Sequence, residues 1–272
     1  MNVLKPEKLF GIIGYPLGHS MSPLLHNWGF ALKDIKAVYM AWPTAPEKIA
    51  DFMNAFKTLP ISGASVTIPH KISVMDYIDE LTTRAKGVGA VNTLYWEQDK
   101  LIGDNTDTAG CSEPLRPHCD HVKKALLLGA GGASRAAIVG LKTLQIREIV
   151  ITNRTKSKAD KLAEEFGISC VDWNKRGNEH YDLIINSTSL GMSGDKQKIN
   201  PMIMDNVDEK TIVYDLIYNP LETVLLKEAK EKGCKTLSGI EMFLHQGLAQ
   251  FKIWTGHDLD ELRARKILLE HL

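Results

Sequence analysis

Gly129-Ala130-Gly131-Gly132-Ala133-Ser134 lies between the apolar run Ala125–Leu128 and a helix-forming stretch, Ala133–Leu144 (ASRAAIVGLKTL), near the middle of a 272-residue chain. Glycines at a strand-to-helix turn permit a tight reversal and a close backbone approach to phosphate. The helix that follows aims its free N–H groups and the positive end of its dipole at the anion. Where the common dinucleotide pattern has a third glycine, this chain has Ser134, which is still small enough for close helix–strand packing. A second strand-like run, Glu148–Thr152 (EIVIT), completes the βαβ unit that the turn requires. The stretch is therefore read as a dinucleotide pyrophosphate cradle in a Rossmann unit.

An acidic residue at the end of the second strand would bind a ribose 2′-hydroxyl. Here Asn153-Arg154-Thr155 stands instead, followed by Lys156 and Lys158. No carboxylate repels an added 2′-phosphate, and a guanidinium suits a dianion, so NADP is preferred to NAD. A plainer reading is compatible with it: Thr155 caps a helix over Lys156–Phe166 whose lysines form a solvated face.

The length suits two domains, each with enough apolar residues to bury a core. Acidic and basic residues balance at 33 each, which argues against broad nucleic-acid or acidic-membrane binding and favours small-molecule chemistry. Cys111, Cys119, Cys170 and Cys234 form no CxxC pair, so they read as reduced thiols. His118-Cys119-Asp120-His121 has no second group of ligands nearby in sequence, and no metal site is expected there. MNVLKPEKLF lacks the apolar core of a secretory signal and no run is long enough to span a bilayer, so a cytoplasmic protein is expected.

Upstream of the glycine turn, Leu9–Gly14, Ala37–Trp42 and Gly63–Ile68 read as strands and Pro23–Lys33 and Pro46–Thr58 as helices, with a hairpin near Val91–Trp96 and Leu101–Gly103. This is an α/β domain with a mixed sheet. Downstream, Tyr181–Asn186, Thr211–Leu216 and Lys235–Leu237 continue the strands and Glu222–Lys232 the helices. Gly239–Leu272 reads as two terminal helices returning to the first domain. The expected division is 1–107, completed by 239–272, for the first domain and 108–238 for the nucleotide domain.

Three polar stretches of the first domain sit at element ends, and each admits an ordinary explanation. In Ser20-Met21-Ser22-Pro23, Ser22 is a helix N-cap with proline in the first turn, or one of two hydroxyls beside helix N–H groups that would suit a carboxylate. In Val66-Thr67-Ile68-Pro69-His70-Lys71, a helix starting at Pro69 places Lys71 in its first turn, against the dipole. Lys71 is then a solvated surface residue or a proton donor to a carbonyl oxygen. In Gly103-Asp104-Asn105-Thr106-Asp107, Asp107 is the N-cap of a helix from Thr108 or a functional carboxylate, and Asn92 a strand-end amide or a ligand contact.

SMSP, VTIPHK, GAVNT, GDNTD, GAGGAS, NRT, YDLIYNP and GIEMFLHQG occur here in the order found in shikimate dehydrogenases, and the resemblance spans nearly the whole chain. It implies an N-terminal substrate domain, a Rossmann NADP domain, and reversible reduction of 3-dehydroshikimate to shikimate in aromatic amino acid biosynthesis. By matching position, Lys71 would be the acid/base and Asp107 its partner. Ser20 and Ser22 would hold the substrate carboxylate, with Tyr218 close to that end, and Thr67, Asn92, Asp107 and Gln246 would fix ring hydroxyls. The resemblance gives the pyrophosphate to Gly129, Ala130, Gly131, Gly132 and Ala133, and the 2′-phosphate end to Asn153, Arg154, Thr155 and Lys158. Leu216, Gly239 and Met242 would flank the nicotinamide, and Thr188 would lie along the same groove.

Two positions depart from the family. Ser65 stands where many members have asparagine, and Thr83 where some relatives carry an acidic residue. The competing readings are a quinate/shikimate dehydrogenase paralogue, often NAD-dependent, and a catalytically idle NADP- or shikimate-binding sensor. Arg154 argues against the first, and the presence of both Lys71 and Asp107 against the second. The protein is expected to be a monomer or homodimer.

Overall fold

The computed structural model describes residues 5–18 and 20–272, which divide into two compact units: residues up to Thr106 together with Gln246–His271, and Asp107–His245 with Leu272.

The first unit is built on β1 (Lys8–Gly14), α1 (Ser22–Leu32), β2 (Ala37–Pro43), α2 (Ile49–Thr58), β3 (Ile61–Val66), β4 (Glu80–Leu81), α3 (Thr83–Val88), β5 (Thr93–Glu97) and β6 (Lys100–Asp104). Its sheet runs in the order β2-β1-β3-β5-β6-β4. The β1, β2 and β3 pairings are parallel, whereas β5 is antiparallel to β3 and to β6, so the sheet is mixed as the strand pattern requires. The antiparallel step matters for the site: Thr93, where β5 begins, pairs with Ser65 near the end of β3. Asn92 and the Thr67–Lys71 segment therefore meet at one edge.

The second unit contains α4 (Asp107–Leu115), β7 (Lys124–Leu128), α5 (Gly132–Thr143), β8 (Glu148–Thr152), α6 (Lys156–Phe166), β9 (Ser169–Cys170), β10 (Leu183–Asn186), β11 (Ile212–Asp215), α7 (Val224–Glu231) and β12 (Lys235–Leu237). All its strands are parallel, in the order β12-β11-β10-β7-β8-β9. Strand order reverses between β7 and β10, and in doubly wound sheets the crevice beyond the carboxyl ends at that reversal is where ligands bind. The strands are buried on both faces, which is why they read as continuous apolar runs such as Ala125–Leu128.

Helix α8 (Gly239–Thr255) begins in the second unit, where Met242 joins the core of the parallel sheet. It ends in the first, where Phe251 and Trp254 pack with Phe10, Phe30 and Tyr39. Trp254 Nε1 donates to Leu94 O at 3.0 Å across Gly63, where a Cβ would lie 2.7 Å from that indole nitrogen. Glycine is therefore required there by close approach. Helix α9 (Glu261–Leu269) packs against α1, with the Asp260 carboxylate accepting from Arg263 N at its N-terminus.

Three local expectations are corrected. No helix starts at Pro69: residues 68–72 form a turn ahead of a 3₁₀ segment at Ser73–Tyr77, so Lys71 opposes no helix dipole. Ser22 is the first residue of α1 rather than its cap, Met21 takes the cap position, and no side chain caps that end. Asp107 likewise lies inside the first turn of α4, one residue further in than a cap. Thr155 does occupy the cap position of α6, but its side chain makes no capping bond. The short strands β4 and β9 and helix α3 carry too few apolar residues to show a period, and they emerge only in the structure.

Candidate active site

In the first unit, the ends of β1, β3 and β6 and the start of β5 bring together most of the polar residues singled out in the sequence. Thr67 N donates to Ile13 O at 2.9 Å, Val66 N to Asn92 O at 2.8 Å, and Val91 N to Lys71 O at 2.7 Å. These backbone bonds hold Thr67, Lys71 and Asn92 as one edge. Gly14 makes the approach possible: a Cβ there would lie 2.3 Å from Thr67 Cγ2. His70, almost fully buried, is fixed by a 2.6 Å bond between its Nε2 and Thr44 O, which anchors the turn that carries Lys71. Ser20 and Ser22 lie together at the entry to α1, where Ser22 N donates to Ser20 Oγ at 3.4 Å. Gln246 stands one helical turn ahead of Gln250 on α8, so the two share a face.

Asn92 is buried and held in a single orientation. Its Oδ1 accepts from Thr106 N and from Thr93 Oγ1, both at 2.7 Å, while Nδ2 donates to Thr106 Oγ1 at 2.9 Å. The GDNTD segment that supplies Thr106 is itself pinned by Asp104. That carboxylate accepts from Arg84 Nε at 3.0 Å and from Thr82 Oγ1 and Asn105 N at 2.7 Å each. Burial works against ionisation of Asp104, but the Arg84 guanidinium and the Thr82 hydroxyl prevail and hold its carboxyl below the usual range.

In the second unit every candidate cofactor residue but Met242 follows the carboxyl end of a strand, directly or in the first turns of the helix after it. Gly129 has φ +112°, and a Cβ on it would sit 2.7 Å from Ser187 Oγ, so both backbone freedom and close approach require glycine. Ser134, the substitute for the third glycine, accepts from Gly131 N at 2.9 Å and lies 2.8 Å from Ser187 Oγ. It ties the glycine turn to the segment after β10, a role glycine could not fill. A Cβ on Gly131 would meet nothing within 4 Å, so the space ahead of the N-terminus of α5 is open beside Ala130, Gly132 and Ala133. After β8, Arg154, Thr155 and Lys158 are exposed, and Asn153 Nδ2 bonds Thr155 O at 2.9 Å. Lys156 is engaged with Asp160 at 2.8 Å, whereas among the described residues Arg154 and Lys158 have no ion-pair partner. An open glycine turn facing a helix N-terminus, with an unpaired guanidinium on the next strand end, fits a dinucleotide carrying a 2′-phosphate.

Asp215, which carries no motif in the sequence, organises the rest of this edge. Fully buried at the end of β11, it accepts from Thr223 Oγ1 at 2.7 Å, Asn186 Nδ2 at 3.0 Å and Ile217 N at 3.1 Å. Asn186 then turns its Oδ1 to Thr188, whose N and Oγ1 donate at 3.0 and 2.7 Å. One carboxylate therefore orients both Thr188 and the Leu216–Tyr218 turn. Burial pushes its pKa up to about 6 despite those donors. The available signal in the sequence is a single acid closing an apolar strand, Ile212-Val213-Tyr214-Asp215. Gly239 packs against the same turn, its hypothetical Cβ 2.3 Å from Leu216 O, and the Tyr218 ring lies 5.5 Å from that of Phe243.

Lys71 and Asp107 fall in different units, as do Gln246 and Tyr218, the residues expected to meet the substrate. Residues 12–94 match the shikimate dehydrogenase substrate-binding domain, 117–218 the shikimate/quinate 5-dehydrogenase domain, and 239–269 the shikimate 5′-dehydrogenase C-terminal domain. The shikimate dehydrogenase (NADP(+)) of Maridesulfovibrio salexigens is 71% identical over the whole of both chains. The solved shikimate 5-dehydrogenase of Thermus thermophilus, in complex with NADP(H) and shikimate, is 32% identical with a TM-score of 0.89, covering 97% of this chain and 100% of that one. The quinate dehydrogenase of Corynebacterium glutamicum, in complex with NAD, is 26% identical with a TM-score of 0.90, covering 98% and 100%. The glycine turn, the open edge after β8, the Thr67–Lys71–Asn92 edge and these matches agree: the chain belongs to the shikimate dehydrogenase family.

Proposed function

We propose that the protein catalyses the reversible reduction of 3-dehydroshikimate to shikimate with NADPH, in the route to chorismate and the aromatic amino acids. The observation that carries this reading is the Thr67–Lys71–Asn92 edge, in a chain whose other unit has a glycine turn and an unpaired Arg154. NADPH supplies the hydride that reduces the ketone carbon. The protein's part is to bind, orient and move a proton. Lys71 is the acid/base: its ammonium steadies the oxygen on which charge develops and delivers the proton to it, and in reverse it takes the proton from the alcohol. Asp107 orients that ammonium and accepts from a ring hydroxyl. Ser20 and Ser22 hold the carboxylate with Tyr218 beside it, while Thr67, Asn92 and Gln246 select the ring hydroxyls.

On the cofactor, Gly129 to Ala133 hold the pyrophosphate and Asn153, Arg154, Thr155 and Lys158 the 2′-phosphate end. Thr188, Leu216, Gly239 and Met242 line the path to the nicotinamide. The first domain, on this reading, is 1–107 with 239–272, and the second 108–238. The described cysteines are all free thiols, which suits a reducing compartment, and no described helix is long and apolar enough to cross a membrane. The enzyme works in the cytoplasm as a monomer or homodimer, and sedimentation of the purified protein distinguishes those two states.

The test is a rate comparison of shikimate and quinate with NADP and with NAD. Shikimate with NADP is expected to be fastest, and preference for quinate with NAD would transfer the assignment to a quinate dehydrogenase. Lys71→Ala is expected to lower kcat by about 10²–10⁴-fold with little change in KM for shikimate. Unchanged turnover in that variant removes Lys71 from the mechanism.

A further inference from the structure

Behind the Thr67–Asn92 edge lies a series of polar side chains that no step of the reaction uses. Tyr39 on β2, Ser65 on β3 and Gln250 on α8 are each 4% exposed or less, in a region otherwise filled by Phe10, Phe30, Phe251 and Trp254. Tyr39 Oη donates to Ser65 Oγ at 2.6 Å, and Ser65 Oγ donates to Gln250 Oε1 at 2.8 Å. Gln250 Nε2 donates to Asn92 O at 2.9 Å and to Thr93 Oγ1 at 3.0 Å, and Thr93 Oγ1 passes its own hydrogen to Asn92 Oδ1 at 2.7 Å.

The direction of this series is determined by its members. Asn92 O can only accept, so the Gln250 amide must turn its nitrogen that way and its oxygen toward Ser65. Ser65 has one hydrogen, which that oxygen takes, so Tyr39 is left to donate to Ser65. At the other end, Thr93 Oγ1 accepts from Gln250 and donates to Asn92 Oδ1. Thr106 N, which can only donate, points at Asn92 Oδ1 at 2.7 Å and so fixes that atom as the amide oxygen, with the nitrogen toward Thr106 Oγ1. Flipping the Gln250 amide would set its oxygen against Asn92 O, two acceptors in contact at a site closed to solvent.

We infer that Ser65 and Gln250 are positioning residues for the substrate: through this buried series they hold the Asn92 backbone carbonyl and, by way of Thr93, its side-chain amide, and so set where Asn92 meets the substrate. The inference rests on the reading of Asn92 as a substrate contact given above. Ser65 is the member whose size matters most, since a single hydroxyl spans the gap between the Tyr39 phenol and the Gln250 amide.

The test uses the full-length protein with shikimate and NADP. Ser65→Ala is expected to raise KM for shikimate about tenfold while KM for NADP stays within twofold, and Ser65→Thr, which keeps the hydroxyl, restores most of the loss. Tyr39→Phe combined with Ser65→Ala is expected to add little to the single change, because both interrupt one series. Thermal unfolding of each variant is followed alongside. If KM for shikimate is unchanged in Ser65→Ala, or both KM values move together in step with the loss of stability, the positioning role is overturned and the series is structural only. If the unaltered protein neither binds nor oxidises shikimate, the assigned reaction falls and the positioning role falls with it.

Discussion

Replacing Asp215 by asparagine changes how stability depends on pH by an amount the structure predicts. The carboxyl is fully buried among the Thr223 hydroxyl, the Asn186 amide and the Ile217 N–H, and burial raises it from 3.8 to about 6. An acid whose folded-state pKa is raised contributes most below its unfolded value, and that contribution is lost as pH rises through the folded one. The difference corresponds to about 3 kcal/mol at full span, of which about 2 kcal/mol falls between pH 4 and pH 7.5. An amide at this position carries no such slope, although placing an NH₂ group where one acceptor oxygen stood has a roughly pH-independent cost of about 1 kcal/mol. Urea unfolding of the parent and of Asp215→Asn across that range is the assay. The variant is expected to gain about 2 kcal/mol relative to the parent on going from pH 4 to pH 7.5, whatever the absolute difference at either end. Parallel curves would refute the reasoning, because they would mean the carboxyl is ionised in the folded protein at no cost.

Arg154→Ala is expected to weaken NADP by roughly 10-fold or more while leaving NAD nearly unchanged, since a charge-assisted contact to phosphate is worth about 1.5–3 kcal/mol; titrating both nucleotides measures it. His26 is fully buried against the rings of Tyr39 and Trp254, and burial pushes its pKa down to about 3 from 6.5. Its contribution to stability is therefore complete above 6.5 and lost as pH falls toward 3, up to about 5 kcal/mol. His26→Phe is expected to flatten that acid limb in urea unfolding between about pH 4 and pH 7. Gly239→Ala drives a Cβ to within 2.3 Å of Leu216 O, a backbone atom that cannot rotate away. A loss of about 1–3 kcal/mol is expected, together with weaker NADP binding by calorimetry.

Strands bordered by strong turn signals are legible in the sequence, and Ala125–Leu128 with Gly129–Ser134 is enough to orient the whole second unit. The start of α1 is misplaced by one residue because Ser22-Pro23 satisfies the rule for a capping serine, and nothing local distinguishes a serine just inside a helix from one just outside it. Pro69 suggests a helical turn for Lys71, whereas contacts remote in sequence hold that segment as a turn, through His70 to Thr44 and Lys71 to Val91. Asp215, Tyr39 and Gln250 escape a reading of the sequence for a related reason. Their side-chain partners lie between 8 residues away, as with Asp215 and Thr223, and 185, as with Gln250 and Ser65, and neither periodicity nor spacing encodes such a pairing.

The first unit is assembled from two lengths of chain separated by nearly the whole of the second, and Gln250 and Trp254 are among the last of its core residues to leave the ribosome. A nascent chain that has reached His245 holds all the strands of the parallel sheet, while the mixed sheet still lacks the indole over Leu94 and the amide that steadies Asn92. The second unit can settle while synthesis continues, whereas the first must wait until α8 and α9 have emerged. Order of synthesis thus places the nucleotide half ahead of the half that would select the substrate.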